Sequence, residues 1–250
     1  MRGKCESDGY ELHYELVGRG PRIVWVDPAL GSSAMRPLQE AVELLAERFE
    51  VVTYDRRGRG RNADVEGSSP GQEVSDLAAV VAQLGAAAVL GFSSGGALVL
   101  HAAPRLATES IVLLEPAVDA QPDPYGLRQV IADALCRGDR DAAARAFYAA
   151  VGVPEEMLAE MVGSEAWPQV VRSAGTLLAD IDLSVVAEDV IAAVAQESHV
   201  ILSSGSPQEI AGMGEQVARR LGARVWHEPG GWHGIDGNAL ADRLAQITGE

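Results

Sequence analysis

The sequence predicts an α/β protein with a mostly parallel, doubly wound sheet and a helical lid inserted into it. Short apolar runs rich in β-branched residues recur along the chain, each followed by turn residues and then a helical pattern. This alternation is typical of a parallel sheet whose strands are buried on both faces by helices. It stops between Glu115 and Ser198, where the chain carries alanine-rich helical patterns and no convincing strand.

Six apolar runs are predicted to be strands of this sheet. They are RIVWVDP (22–28), FEVVTYDRRGRG (49–60), AAVLGFSSGG (87–96), SIVLLEP (110–116), SHVILSSGS (198–206) and ARVWHEPGG (223–231). The more polar opening YELHYELVG is expected to supply an antiparallel edge pair. Helical patterns between the runs include MRPLQEAVELLAERF (35–49) and EVSDLAAVVAQLG (73–85).

One uncharged stretch, from Leu77 to Pro104, is long enough to resemble a membrane span, which needs only about 20 apolar residues. It also contains a glutamine, two serines and four glycines. A helix, a short strand and a second buried helix explain this composition better than a membrane does.

The helical interruption is predicted to be a lid. An insertion that leaves and rejoins a sheet at its C-terminal edge lies over the crevice where such folds bind ligands. We favour this interpretation over helices that only complete the outer layer. The expected division is a core of residues 1–115, a lid of residues 116–198 and the rest of the core in residues 199–250.

The charge balance restricts the class of partner. A net charge of −16, from 36 acidic and 20 basic residues, makes nucleic acid and anionic membranes poor partners because both repel it. A small-molecule substrate is expected instead, and a homodimer is left open. Cys5 and Cys136 are the only cysteines, and the N-terminal segment lacks the apolar stretch of a signal peptide. We therefore expect reduced thiols and a cytoplasmic location.

The turn Gly91-Phe92-Ser93-Ser94-Gly95 matches the pattern G-x-S-x-G. The pattern is weak alone, but here a predicted strand precedes it and a predicted helix follows it. A sharp turn at this place presents Ser93 as a nucleophile, and the glycines allow the strand and helix to approach closely. The backbone N–H of Ser94, at the helix start, is then placed to bind a developing oxyanion.

These segments together resemble the α/β-hydrolase superfamily over nearly the whole chain. VVTYDRRGRGRN resembles the strand and turn that precede the nucleophile, GFSSGG resembles the nucleophile elbow, and EPGGWHG resembles the loop that carries the histidine. The resemblance, the loop position and the chain order identify His233 as the base, with His227 as the alternative. We expect His233 to be hydrogen-bonded to Ser93 above the C-terminal edge of the sheet.

The acid of the triad departs from the family pattern. In most of the superfamily an aspartate follows the penultimate core strand, but here that turn reads SSGSPQEI and places Gln208 at the position. Some members carry the acid one strand earlier, which implies Glu115, directly before Pro116. Glu209 is the second candidate, although an acidic residue in the first turn of a helix is favourable without any catalytic role.

The resemblance also places a second oxyanion donor after the first parallel strand, in VDPALGSS. Pro28 has no N–H, so Ala29 is the candidate, with Leu30 as the alternative. Asp55 and the arginines near it are interpreted as a structural turn rather than an anion site; they are Arg56, Arg57, Arg59 and Arg61. The sequence shows neither metal-ligand spacing nor a dinucleotide-binding motif after a strand, so no metal and no cofactor are predicted.

The sequence thus predicts a serine hydrolase that cleaves an ester, lactone or thioester of a largely apolar small molecule through an acyl-enzyme. The missing aspartate keeps a second class open, a lyase, cyclase or acyltransferase that retains the fold without using water. A non-catalytic binding protein with a relic of the turn is the third hypothesis.

Overall fold

A computed structural model describes residues 1–63, 65, 67–119 and 126–249. These residues form an eight-stranded sheet with the order β1-β2-β4-β3-β5-β6-β7-β8. The strands are β1 (Arg2–Ser7), β2 (Tyr10–Gly18), β3 (Arg22–Val26), β4 (Glu50–Tyr54), β5 (Ala88–Phe92), β6 (Ser110–Leu114), β7 (Glu197–Ser203) and β8 (Arg224–Glu228). Only the pairs β1–β2 and β2–β4 are antiparallel. The predicted strands, the mostly parallel sheet and the antiparallel edge pair are therefore confirmed.

Helices cover both faces of the sheet. The helices are α1 (Gln39–Leu45), α2 (Pro70–Leu84), α3 (Ser94–Ala102), α4 (Leu127–Cys136), α5 (Arg140–Ala150), α6 (Glu155–Gly163), α7 (Trp167–Ser173), α8 (Leu177–Ser184), α9 (Glu188–Ala192), α10 (Gln208–Leu221) and α11 (Gly237–Thr248). Val24 and Val26 of β3 pack into a core with α2, α3 and α10. Ile23 and Trp25 point the other way, into a core with α1 and α11. This alternation is what period-two side chains of a doubly wound sheet require.

The uncharged stretch from Leu77 to Pro104 forms the end of α2, then β5, then α3. The core of the domain therefore accounts for its apolar composition, as predicted. In the part of the chain that the structure describes, none of the helices is both long and apolar enough to span a membrane.

Helices α4 to α9 lie between β6 and β7, where the sequence predicts the insertion. The predicted division at 116–198 also includes residues 120–125, which lie outside the described residues. Side chains of α4, α5, α7 and α8 form an apolar cluster of their own, which also takes in Ala29 and Leu30. The insertion therefore packs against the turn that follows β3.

A buried set of ion pairs fixes α8 to the core. Arg56 lies 2.9 Å from Glu73 of α2 and 2.9 Å from Asp180 of α8. Arg59 lies 2.9 Å from Glu73 and 2.6 Å from Asp180. The four side chains are at most 1% exposed. Each charge is compensated by two opposite ones, which is the condition for burying ions at this depth.

The other arginines of the basic turn also interact with carboxylates. Asp55 accepts hydrogen bonds from the backbone N–H groups of Ser33, at 2.6 Å, and Arg61, at 3.0 Å. Arg57 pairs with Asp76 at 2.7 Å. The arginines of this turn serve the fold, as the sequence analysis expects, because their charges are directed at protein carboxylates.

Candidate active site

Ser93 lies in a sharp turn between β5 and α3. Its backbone angles are φ 53° and ψ −121°, a combination that is costly for a residue with a side chain. Ser93 is partly exposed, whereas the residues on either side of it are buried. The turn therefore raises one hydroxyl out of the packed core.

The two glycines of this turn are required by close backbone contacts. A Cβ at Gly91 would overlap the backbone of Gly95 and Gly96, and a Cβ at Gly95 would overlap the carbonyl oxygen of Val26 in β3. The first contact is the predicted approach of strand and helix. The second involves the neighbouring strand β3, which the sequence analysis does not anticipate.

Two other predicted site residues share the unusual backbone. Glu115 has φ 45° and His233 has φ 41°. With Ser93 they make three of the six non-glycine residues of positive φ in the described chain. Strained conformations of this kind cost about 1–3 kcal/mol each and concentrate at functional sites.

The structure brings Glu115 and His233 together. Nδ1 of His233 lies 3.1 Å from Oε2 of Glu115, and the carboxylate is fully buried. A carboxylate oxygen of this kind accepts, so Nδ1 is assigned the proton and Nε2 is left as the acceptor. This is the tautomer that a general base needs.

Two serines of the aspartate-free turn hold the other oxygen of Glu115. Oε1 accepts a hydrogen bond from the backbone N–H of Ser203 at 2.8 Å and another from the hydroxyl of Ser206 at 2.5 Å. Neither serine is predicted from the sequence, although both lie in SSGSPQEI, because the family pattern at that turn concerns only the missing aspartate. They anchor a carboxylate that comes from the adjacent strand β6.

The ring of His233 lies beside the nucleophile turn. Its centroid is 4.9 Å from the ring of Phe92, the residue before Ser93, and its side chain is 17% exposed. Within the described residues, the hydrogen bonds do not include one between Ser93 Oγ and His233. The structure therefore does not show the predicted hydrogen bond between Ser93 and His233. Catalytic hydrogen bonds are often too long to count as bonds when the enzyme holds no ligand.

The alternative candidates lie elsewhere. Glu209 and Gln208 are exposed in the first turn of α10. His227 is exposed on β8, the strand at one edge of the sheet. The arrangement thus favours Glu115 over Glu209 as the acid and His233 over His227 as the base.

The two predicted oxyanion donors, Ala29 and Ser94, lie next to each other, but the backbone N–H of Ala29 is already hydrogen-bonded to the side chain of Ser94. The backbone N–H of Ala29 donates to Oγ of Ser94 at 2.7 Å. Ala29 belongs to a turn closed by the Gly31 N–H on the Pro28 carbonyl at 3.1 Å, in which Leu30 has φ 62°. The N–H of Ser94, the first residue of α3, belongs to the helix start, where backbone donors have no intrahelical acceptor.

A buried ion pair holds Asp27, the residue that directly precedes this turn. Arg36 lies 2.9 Å from the carboxylate of Asp27, and Trp25 Nε1 donates to the same carboxylate at 2.8 Å. Burial raises the pKa of Asp27, while Arg36 and Trp25 act to lower it. Asp27 is not among the residues predicted for the site, although its place directly after β3 is the signal that could have identified it.

A buried apolar cluster adjoins the site through the turn that carries Ala29. Trp167 and Leu177 of the insertion are buried in the cluster that includes Ala29 and Leu30. Met161 and Leu178 pack against this cluster, whereas Met157 is 40% exposed. The described residues hold no group of three or more His, Cys, Asp or Glu side chains arranged for a metal ion.

Comparison with known proteins matches the chain to a protein family. The profile of the Alpha/beta hydrolase family matches residues 20–246. A non-heme haloperoxidase of Rhodococcus erythropolis is 34% identical over 131 residues, and the match covers 48% of this chain and 47% of that protein. The match thus spans about half the length of that curated relative.

Solved structures resemble the chain over almost its whole length. An alpha/beta hydrolase from Sphaerobacter thermophilus has a TM-score of 0.83 and 29% identity, covering 98% of this chain and 99% of that one. The enol-lactonase from Burkholderia xenovorans has a TM-score of 0.73 and 20% identity, covering 99% of this chain and 100% of that one. At that identity the second likeness shows the fold alone.

Proposed function

The chain belongs to the alpha/beta hydrolase family, and from this premise we propose that it is a serine hydrolase. It cleaves an ester, lactone or thioester of a largely apolar small molecule through an acyl-enzyme. The observation that carries the proposal is the contact of 3.1 Å between His233 Nδ1 and Glu115 Oε2, next to a strained serine turn.

The proposed reaction begins at Ser93. Its Oγ attacks the substrate carbonyl while Nε2 of His233 takes the proton, and the carboxylate of Glu115 stabilises the resulting imidazolium. The N–H of Ser94 and the donors at the turn of Ala29 bind the oxyanion. His233 then returns the proton to the leaving group as the tetrahedral intermediate collapses.

Water completes the cycle. It attacks the acyl group on Ser93 while His233 again accepts a proton. His233 then returns this proton to Oγ of Ser93 as the acid product leaves, which regenerates the free enzyme. Every proton transfer passes through Nε2, the ring nitrogen left free by the bond between Nδ1 and Glu115, which accepts the proton in one step and donates it in the next. The geometry of that single bond therefore supports both halves of the reaction.

The surroundings of the oxyanion turn support a substrate with a largely apolar body. The apolar cluster of α4, α5, α7 and α8 includes Ala29 and Leu30, so a substrate carbonyl at this turn brings its attached groups against apolar side chains. We take this part of the insertion as the lid. The net charge of −16 favours such a small molecule over nucleic acid or an anionic membrane, and free Cys5 and Cys136 support a cytoplasmic location.

The alternative of a lyase, cyclase or acyltransferase was based on the missing aspartate. Glu115 supplies a carboxylate to the same histidine from the neighbouring strand, which removes that reason. A lactone substrate is favoured as much as an open ester, because both present a carbonyl to Ser93 and differ only in whether the leaving group stays attached.

A fluorophosphonate probe tests the proposal. We expect the wild-type protein to gain the mass of one phosphonyl group and the Ser93→Ala variant to gain none. His233→Ala should slow labelling by at least about 100-fold, whereas His227→Ala, a control at the exposed edge strand, should not. A folded wild-type protein that stays unlabelled would contradict a serine nucleophile and favour the other two classes.

A further inference from the structure

The hydroxyl of Ser94 occupies the space between the two predicted oxyanion donors. It lies 2.7 Å from the N–H of Ala29, and it is covalently attached next to the N–H of Ser94 itself. In the mechanism above, Ser94 contributes only its backbone. The position of its side chain calls for a role of its own.

The hydrogen-bonding capacity of this hydroxyl determines what it can do. A serine Oγ offers one donor and two acceptor sites, whereas a backbone N–H only donates. In the pair with Ala29, Ser94 Oγ is therefore the acceptor and keeps its own proton. In the described residues that proton has no acceptor, although Ser94 is only 7% exposed.

A buried donor without an acceptor is unfavourable unless a ligand supplies one. The group that comes to this place in the proposed reaction is the carbonyl oxygen of the substrate, which becomes an oxyanion. That oxygen is an acceptor and gains negative charge in the transition state, so a donor held in place for it stabilises the transition state more than the substrate.

We propose that the Ser94 hydroxyl is itself an oxyanion donor, which accepts a hydrogen bond from the Ala29 N–H and donates a hydrogen bond to the oxyanion. The amide of Ala29 then acts through the hydroxyl, by polarising and orienting it, instead of touching the oxyanion. The inference depends on the proposed serine chemistry and puts the Ser94 hydroxyl in place of the Ala29 amide as the group that touches the oxyanion. No proton is transferred, because the hydroxyl only donates a hydrogen bond.

Ser94→Ala tests this directly, since alanine keeps the backbone N–H and removes only the hydroxyl. With p-nitrophenyl butyrate as substrate, we expect kcat to fall by about 10- to 100-fold while KM changes by less than about twofold. Ser110→Ala is the matched control. Ser110 is 8% exposed and starts β6 at the opposite end of the sheet, so its loss should leave kcat unchanged.

A second readout separates an oxyanion donor from a merely structural serine. In the thionoester analogue the carbonyl oxygen is replaced by sulfur, which is a larger and weaker acceptor. We expect the wild-type preference for the oxoester to shrink by about tenfold or more in Ser94→Ala, because the lost bond matters mainly to oxygen. An equal loss on both esters, or an unchanged or faster kcat, would overturn the proposal.

A structure of the phosphonylated wild-type enzyme gives an answer that does not depend on a variant's folding. We expect Ser94 Oγ at a hydrogen-bond distance of about 2.7 Å from the phosphonyl oxygen, still bonded to Ala29. A hydroxyl turned away, with the Ala29 N–H directly on that oxygen, would refute the inference but leave the serine mechanism intact. A wild-type protein that is not labelled at all would refute both.

Discussion

Nδ1 of His233 lies 3.1 Å from Oε2 of Glu115, although 118 positions separate the two residues in the chain. Glu115 directly follows β6, and His233 lies in the loop after β8. Both strands run in the same direction, so their C-terminal ends meet at one edge of the sheet. The contact provides the reason for an acid position that departs from the usual one in the family.

Replacing Glu115 by glutamine is expected to lower kcat by about 10³- to 10⁴-fold. The amide keeps an acceptor for Ser203 but loses the charge that stabilises the imidazolium of His233. Hydrolysis of p-nitrophenyl butyrate measures the effect. Glu209→Gln is the control, and we expect its kcat to stay within about twofold of wild type. A large loss in Glu209→Gln, with activity retained in Glu115→Gln, would reverse the assignment of the acid.

The strain at Ser93 predicts opposite effects of glycine at two serines. Because Ser93 has φ 53°, we expect Ser93→Gly to be more stable than Ser93→Ala by about 1 kcal/mol in free energy of unfolding. At Ser173, where φ is −74°, the order should reverse by a similar amount. Urea denaturation of the four variants measures both differences. A Ser93→Gly protein that is no more stable than Ser93→Ala would show that the turn holds no strain.

The local parts of the site could be predicted from the sequence, and the long-range parts could not. The glycines around Ser93 and the loop of His233 can be recognised in the sequence because each motif lies within a few consecutive residues. The bond between Ala29 and Ser94 joins residues 65 positions apart, and no periodicity encodes it. Helix α1 shows the same limit, since its pattern starts at Met35 but Leu38, with φ 59°, delays the helix to Gln39.

The buried ion pairs between the core and the insertion predict a large loss of stability. Asp180→Asn leaves Arg56 and Arg59 with one carboxylate between them, and we expect the free energy of unfolding to fall by about 3–5 kcal/mol. Asp182→Asn, on the same helix, removes only the exposed pair with Arg128 and should cost less than about 1 kcal/mol. Similar losses in the two variants would show that the buried set does not fix α8 to the core.

The same ion pairs predict a response to acid. Burial alone would raise the pKa of Glu73, but Arg56 and Arg59 outweigh it and lower that pKa from 4.5 to about 2. The charged carboxylate therefore stabilises the fold above pH 4.5, and this contribution is lost as the pH falls toward 2. Urea denaturation across this range should show falling stability. Glu73→Gln, less stable throughout, should lose less over the same interval, and an equal loss would contradict the assignment.

Two Gly→Ala substitutions in helices are expected to change the free energy of unfolding in opposite directions, because only one of the two glycines lies against a neighbouring backbone. A Cβ at Gly95 of α3 would overlap the carbonyl oxygen of Val26, whereas a Cβ at Gly212 of α10 would have no neighbouring atom within 4 Å. Backbone atoms cannot yield as a flexible side chain can, so Gly95→Ala must push α3 away from β3. We expect it to lower the free energy of unfolding by more than about 2 kcal/mol, and to displace Ser93 and the oxyanion donors, with a loss of kcat.

Gly212→Ala instead gains helix propensity and should be more stable by about 0.5–1 kcal/mol, with kcat unchanged. Urea denaturation and ester hydrolysis measured on both variants decide the matter, and a Gly95→Ala protein of wild-type stability and activity would mean that the helix can move without disturbing the turn.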